Sequence, residues 1–339
     1  MDHAPELPPS VLSGPAPSCS VAVLIPCLNE AVSIAQVVRE FQQELPGAAI
    51  YVYDNNSTDD TAAIARAAGA IVRPELIAGK SAVIRRMFRQ IDADIYLMVD
   101  GDGTYPANRA RAMLAPILAG EADMVVGARL HPDATAEISE LNHLGNRFFR
   151  WLAQRLFHVK LTDLLSGYRA FNRPFAMGMP ITTQGFALET ELTLKGLERG
   201  FRVVEVPTDY IARQPGSYSK IQRSKDGRLI LLTIFNLLRD YKPMTLFGGL
   251  ALIIWGIAIF PTIISIGYWE RMGDLPRIPA AVLATSLFLV GIHLAIAGLV
   301  LNAISHRFQE LDALDTLASP IRRSAGLPLT CTPPWEAPP

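Results

Sequence analysis

Two stretches near the carboxyl end, residues 244–269 and 278–305, contain no Asp, Glu, Lys or Arg. Each exceeds the roughly 20 apolar residues that cross the hydrocarbon core of a bilayer. A buried helix of a globular domain reaches such apolarity, but seldom twice in succession, so the pattern predicts two transmembrane helices. The connecting loop carries Glu270, Arg271, Asp274 and Arg277. Arg223, Lys225, Arg228, Arg239 and Lys242 precede the first span, and Arg307, Arg322 and Arg323 follow the second. The excess of bases at the outer ends of the pair sets both termini, and all that precedes residue 244, on the cytosolic side of an inner membrane. Tyr268 and Trp269 sit where an aromatic anchor marks the far interface. His293 is the one ionisable side chain within a span, either functional or neutral against the neighbouring helix.

The rest of the chain holds nearly all the charge. The total is −1 at neutral pH, with no basic cluster in the part expected to fold, which argues against a nucleic-acid partner. Residues 1–19 are rich in Pro, Ser and Ala and lack a basic start followed by an apolar run, so they read as a disordered cytosolic tail rather than a signal peptide. Cys19, Cys27 and Cys331 have neither metal nor disulfide spacing and read as reduced thiols. The tail at 310–339 ends in Pro-rich sequence and reads as loose. Between 219 and 242, Ile221, Leu229, Ile230, Leu232, Ile234, Leu237 and Leu238 interleave with bases, the composition of helices lying on an anionic membrane surface or packed beneath the preceding domain.

From residue 21 onward, short β-rich runs at 21–25, 49–53, 95–99 and 124–127 alternate with helical patterns at 31–45, 58–68, 80–91 and 107–118. The alternation predicts an α/β domain over 20–218 with a mostly parallel sheet, helices on both faces and a ligand beyond the carboxyl ends of the strands. The polar clusters fall there. Pro26-Cys27-Leu28-Asn29-Glu30 follows the first run, Asp54-Asn55-Asn56-Ser57-Thr58-Asp59 the second, and Asp100-Gly101-Asp102-Gly103 the run at 95–99. Neither GxGxxG nor GxxxxGK[ST] is present, which leaves a dinucleotide fold and a P-loop without support.

Asp100 and Asp102 flank a glycine, and alternate carboxylates can share a hard divalent ion, Mg2+ or Mn2+, that bridges a diphosphate. Acidic turns of this kind are common, and the placement after a buried strand is what favours the metal. Asp54 would accept a hydrogen bond from a nucleobase or make an Asx-turn. Gly79-Lys80 opens a helix where a backbone amide and an ammonium would meet a phosphate.

Taken in order, these pieces resemble the family 2 glycosyltransferases of the GT-A fold, in particular the branch that makes polyprenyl-phosphate sugars. Dolichol-phosphate mannose synthases and bacterial undecaprenyl-phosphate glycosyltransferases belong there. Further along, the resemblance continues through Val126-Gly127-Ala128-Arg129 and Asp163-Leu164-Leu165-Ser166-Gly167-Tyr168-Arg169. It ends with Gly185-Phe186-Ala187-Leu188-Glu189-Thr190-Glu191-Leu192 and Gly216-Ser217-Tyr218-Ser219-Lys220. It covers about residues 20–245, with the two spans behind.

The resemblance implies a GT-A (Rossmann-like) nucleotide-sugar-binding domain followed by amphipathic interface helices and the spans. It implies that Pro26, Leu28, Glu30 and Asp54 hold the nucleoside, that Asp100 and Gly101 meet the ribose and diphosphate, and that Asp102 is the principal metal ligand with Asp100 beside it. Lys80, Arg213 and Lys220 would meet the diphosphate; Arg129, Ser166 and Arg169 are candidates for the acceptor phosphate. Glu189 and Glu191 would orient the sugar, or would complement the start of a helix. A lipid monophosphate is already anionic, so the site needs charge management more than a strong base; the implied outcome is an inverting displacement. Relatives often carry a further basic residue after Arg129; here the nearby choices are His143 and Arg147, and neither aligns with it. Gly103-Thr104-Tyr105 replaces the Leu-Gln pair typical of mannose synthases, which favours a uridine-diphosphate sugar over GDP-mannose. The implied partners are a nucleotide sugar, a polyprenyl phosphate, membrane lipids and further copies of the chain. A processive synthase is disfavoured by the missing Gln-X-X-Arg-Trp, and a catalytically silent scaffold by the retained Asp100, Asp102, Arg129 and Lys220.

Overall fold

The structure, a computed structural model, describes residues 18–129, 154, 162–182, 188–211, 235–236, 238–240, 242–272, 278–318 and 331–336. Its first half is built on strands β1 (Val21–Cys27), β2 (Ala49–Asp54), β3 (Ile71–Pro74), β4 (Ile95–Met98) and β5 (Met124–Arg129). Helices α1 (Ile34–Glu44), α2 (Thr61–Ala67), α3 (Lys80–Gln90) and α4 (Ala110–Leu118) connect them. Then come β6 (Arg169–Asn172), α5 (Arg173–Gly178), α6 (Leu188–Glu198) and β7 (Val203–Thr208). The seven strands form one sheet in the order β3-β2-β1-β4-β6-β5-β7. β6 runs antiparallel to β4 and β5, and the other pairings are parallel. The mostly parallel sheet expected from strand–helix alternation is therefore present.

β1 shows why both faces are covered. Val21, Val23 and Ile25 point into one cluster with Ile34, Val37, Val38 and Phe41, while Ala22 and Leu24 point into another with Val83, Ile84 and Met87. A strand buried on both sides reads as a continuous apolar run rather than an alternating one. α1 presents Ile34, Val37, Val38 and Phe41 at helical spacing to the first cluster. Burying Phe41 completely contributes roughly 1.5–3 kcal/mol.

The expected strands and first helices are found, with ends displaced by a few residues. The α4 region begins as a short 3-10 turn at Ala107–Arg109. β3, β6 and β7 were not among the predicted strands.

Two long helices follow, α7 (Pro243–Met272) and α8 (Ile278–Ala318). Their segments Pro243–Glu270 and Ile278–Phe308 are long and apolar enough to cross a membrane, and only 17% and 11% of their apolar windows are buried. Leu252, Phe260, Ile263, Leu299 and Phe308 each expose over three-fifths of their surface, an outward apolar surface unlike that of a water-facing monomer. The helices pack on each other where Trp255 donates its indole N–H to the Phe288 carbonyl at 3.2 Å and lies over Gly291. α8 continues past the expected end at 305. The interface segment 219–242 lies mostly outside the described residues.

The carboxyl tail departs from expectation. Cys331 is disulfide-bonded to Cys19, with Cα atoms 5.1 Å apart, and Cys27 is a buried thiol outside any disulfide. Ser18 pairs with Thr332 in a single parallel bridge, Cys19 N donates to the Thr332 carbonyl at 2.7 Å, and Trp335 packs on the first core cluster. The reading of three reduced thiols and a loose tail is corrected for these residues: a pairing across 312 positions leaves no spacing signature, because the tertiary return of the tail creates it.

Candidate active site

The clusters after β1, β2 and β4 converge at the carboxyl edge of the sheet, and short polar side chains tie them together. Asn29, at φ +52°, accepts the Thr58 N–H on its side-chain oxygen at 2.7 Å and donates its backbone N–H to Ser57 Oγ at 2.9 Å. Glu30 N donates to Thr61 Oγ1 at 2.8 Å. Asparagine tolerates the left-handed region better than other non-glycine residues. Pro26 and Glu30 are half-buried beside this junction, and Leu28 exposes 37% of its surface at its rim.

Asp54 closes β2. Its Oδ2 accepts the Ser57 amide at 3.4 Å, whereas Oδ1 is buried without a hydrogen-bond partner. A buried carboxylate oxygen left unpaired costs about 1–3 kcal/mol or more, and a nucleobase N–H is a donor that would remove that cost.

At the end of β4, Lys80 from the first turn of α3 pairs with Asp100 and with Glu189 Oε1, the latter at 2.7 Å. Burial would strip the ammonium of its proton, but Asp100 and Glu189 outweigh it and hold Lys80 charged far above the ordinary range. Burial pushes Asp100 up, as do Asp102 and Glu189, against the pull of Lys80. Gly167 lies against the same carboxylate: a Cβ there would sit 2.4 Å from Asp100 Oδ2 and 3.1 Å from Lys80 Nζ. Only glycine allows that approach.

The turn carrying Asp102 is held from two sides. Ser33, fully buried, donates its hydroxyl to the Gly101 carbonyl at 2.7 Å. Thr104 donates its hydroxyl to Asp102 Oδ1 at 2.7 Å. Among the described residues no group of three His, Cys, Asp or Glu side chains could hold a metal alone. Mg2+ and Mn2+ are bound by one or two carboxylates and completed by substrate phosphates and water. Asp102, with Asp100 beside it, offers that donor set.

Arg129 ends β5 in a two-pronged pair with Asp163, Nε to Oδ2 at 2.6 Å and NH2 to Oδ1 at 3.0 Å. Its guanidinium also lies over the Tyr210 ring, 5.5 Å from the centroid. The Arg129 hydrogen bonds and charge lower Asp163 against the upward effect of burial. Between Arg129 and Asp100 lies Tyr105, whose hydroxyl accepts the Gly167 amide at 2.9 Å; burial and the Asp100 charge push its ionisation far up, so it stays neutral.

Three expected ligand contacts lie elsewhere. Arg169 is fully buried. It donates to the Ser166 and Leu164 carbonyls at 2.9 and 3.0 Å and to Thr193 Oγ1 at 2.7 Å. That is a framework position, enclosed from any lipid phosphate. Ser166 is equally enclosed, its hydroxyl accepting the Tyr168 amide at 3.3 Å. Glu191 turns to Lys195 and Thr182, because residues two apart on a helix point roughly 200° apart; only Glu189 of that pair reaches the cluster. Arg213, Lys220, His143 and Arg147 lie outside the described residues. Asn55, Ser33, Asp163 and Gly167 went unassigned in the sequence, although each stands in or beside one of its motifs.

A doubly covered sheet with an acidic turn, an ammonium and a buried carboxylate at its carboxyl edge has the layout of an α/β domain that binds its ligand beyond the strand ends. The family description "Glycosyl transferase family 2" matches residues 22–177. Glycosyltransferase AglJ of Haloferax volcanii is 32% identical over 288 residues, 84% of this chain and 93% of that protein. The chain therefore belongs to glycosyl transferase family 2 and is a glycosyltransferase. Polyprenol monophosphomannose synthase of Mycolicibacterium smegmatis is 26% identical over 223 residues, 59% of this chain and 80% of that protein. Glucosyl-3-phosphoglycerate synthase of Mycobacterium tuberculosis, solved with Mn2+, UDP-glucose and phosphoglyceric acid, shares the fold at a TM-score of 0.55 and 20% identity. That likeness covers 64% of this chain and 79% of the solved one.

Proposed function

We propose that this protein is a membrane-bound inverting glycosyltransferase acting at the cytosolic face of the inner membrane. It moves a hexose or N-acetylhexosamine from a nucleotide sugar, a UDP-sugar by preference, to a polyprenyl phosphate. The observation that carries the reading is the presence in one chain of the Lys80–Asp100–Glu189 cluster beside the Asp102 turn and of two helices of membrane-crossing length. A soluble acceptor would require neither helix.

In the reaction a phosphate oxygen of the lipid bonds to the anomeric carbon while the bond from that carbon to the nucleoside diphosphate breaks, inverting the configuration. Asp54 receives the base N–H on its unpaired oxygen. Lys80 supplies positive charge to the leaving diphosphate. Asp102, with Asp100, would hold the divalent ion, which supplies charge neutralisation to the diphosphate. Arg129, kept charged and fixed in direction by Asp163, faces the incoming phosphate with the NH1 group that has no partner among the described residues. Glu189 meets a sugar hydroxyl. Arg213 and Lys220 close over the diphosphate from the segment leading to the membrane, and the spans complete the acceptor side. The likeness to a polyprenol monophosphomannose synthase supports a lipid acceptor, and a solved relative with UDP-glucose supports a uridine donor.

Membranes containing the protein, given labelled UDP-sugars or GDP-mannose and short polyprenyl phosphates, test the reading. It expects lipid-extractable label from one donor class, lost on chelation. Label transfer that survives chelation refutes the metal role, and no transfer from any donor favours a silent scaffold.

A further inference from the structure

Lys80 is delivered to the site by a segment with almost no apolar anchorage. Between β3 and α3, Leu76 and Ile77 expose 76% and 66% of their surfaces. Gly79, at φ +113°, turns the chain into α3 in a conformation that side chains other than glycine rarely adopt. No side chain caps the start of that helix from within.

What holds the segment, besides the Glu75 carboxylate that accepts the Ile77 N–H at 2.7 Å, is Asn55, 93% enclosed at the end of β2, next to the base acceptor Asp54. Its amide nitrogen donates to the Glu75 and Ile77 carbonyls, each at 2.8 Å. Its amide oxygen accepts the Gly79 N–H at 2.7 Å. The Asn55 backbone is in turn fixed, N–H to the Cys27 carbonyl at 2.8 Å, and Glu75 N donates to the Asp54 carbonyl at 2.8 Å. Asn56 adds one bond, to the Leu76 carbonyl at 3.0 Å.

We propose that Asn55 is a positioning residue that couples the two halves of the donor site, holding the phosphate-facing Lys80 at a set distance from the base-facing Asp54. The inference rests on the nucleotide-sugar reading given above. The chemistry demands an amide. An aspartate would set a second acceptor against the Glu75 and Ile77 carbonyls and lose both donated bonds, while keeping nearly the same volume. Base contacts at Asp54 would survive; contacts that depend on Lys80 would not.

The discriminating measurement is therefore a ratio. The full-length protein, wild type and Asn55→Asp, is titrated with UDP and with UMP in the presence of magnesium, and with GDP and GMP in parallel. Amide hydrogen exchange is followed at Ile77, with the β1 amides as the folding control. In the variant, diphosphate binding and the KM for nucleotide sugar weaken about tenfold or more, the cost of roughly one to two net hydrogen bonds. Monophosphate binding changes less than about twofold, kcat falls as Lys80 is displaced from the leaving diphosphate, and exchange at Ile77 quickens while β1 is unchanged. Equal weakening of diphosphate and monophosphate, or unchanged exchange at Ile77, overturns the proposal. If Asn55→Asp does not fold, Asn55→Ser, which keeps a single donor, gives the same contrast in smaller measure. A wild-type protein that binds none of the four nucleotides refutes the proposed function instead, and the exchange contrast still decides whether Asn55 anchors the segment.

Discussion

Lys80 Nζ stands 2.7 Å from Glu189 Oε1 across 109 residues of sequence, and the same ammonium pairs with Asp100. The contact joins α3, in the first half of the domain, to α6 in the second, at the point where the sheet ends. A lone ammonium there would shed its proton, and two lone carboxylates would repel each other. Together they form a charged set that a diphosphate can enter by competing for Lys80.

Removing the ammonium leaves Asp100 and Glu189 facing each other with Asp102 nearby. Lys80→Met is expected to lower stability by about 1–3 kcal/mol and to reduce kcat/KM for nucleotide sugar by roughly 100-fold. Lys80→Met combined with Glu189→Gln should regain most of the thermal midpoint in detergent and none of the activity. Recovery of activity in the double variant would show that Lys80 serves packing alone.

Gly167→Ala tests how closely Asp100 is held. The added methyl would fall 2.4 Å from Oδ2 and 3.0 Å from Cγ of Asp100, and a carboxylate on so short a side chain cannot swing clear. Displacement of about 1 Å costs on the order of 100-fold in rate. We expect that loss in kcat/KM with unchanged circular dichroism; an unaltered rate would mean that Asp100 has room.

Much of this was legible in the sequence, for physical reasons that differ by element. The two long apolar helices declared themselves through missing charge, and β1, β2 and β4 through apolar runs ending in acidic or amide clusters. Asp54, Asp100, Asp102 and Lys80 fall at strand ends or a helix start, where the topology of an α/β sheet puts ligands. Direction was not legible. Arg169 and Glu191 sit within motifs but point inward, and only packing decides that. Asn55 drew no assignment, since its partners at Glu75, Ile77 and Gly79 lie some 20 residues away. The Cys19–Cys331 link was hidden for the same reason.

The Arg129–Asp163 pair gives an acid signature. Asp163 titrates below its ordinary value of 3.8 in the folded protein. It therefore contributes stability above that value, and the contribution is lost as pH falls through the depressed folded value. The gap in unfolding free energy between wild type and Asp163→Asn should be widest near neutrality and close in strong acid. A gap independent of pH would show that the pair is not ionic.

The Cys19–Cys331 link precedes β1, whereas Asp54, Asp100 and Lys80 lie beyond the opposite ends of the strands, roughly 20 Å away along a strand of this length. Peptide mapping without reductant should recover the two cysteines in one linked species. Reduction should speed amide exchange at 331–336 and leave the KM for nucleotide sugar within about twofold. A large change in KM would tie the tail to the donor site.

The most direct test of the account is mass spectrometry of the lipid phase after purified protein is incubated with UDP-hexoses or UDP-N-acetylhexosamines, undecaprenyl phosphate and magnesium. The account predicts a lipid phosphate heavier by one sugar residue, formed by the wild type and absent with Asp102→Ala, although that variant inserts into membranes normally. No sugar adduct with any of these donors, or an equal adduct from Asp102→Ala, would contradict it.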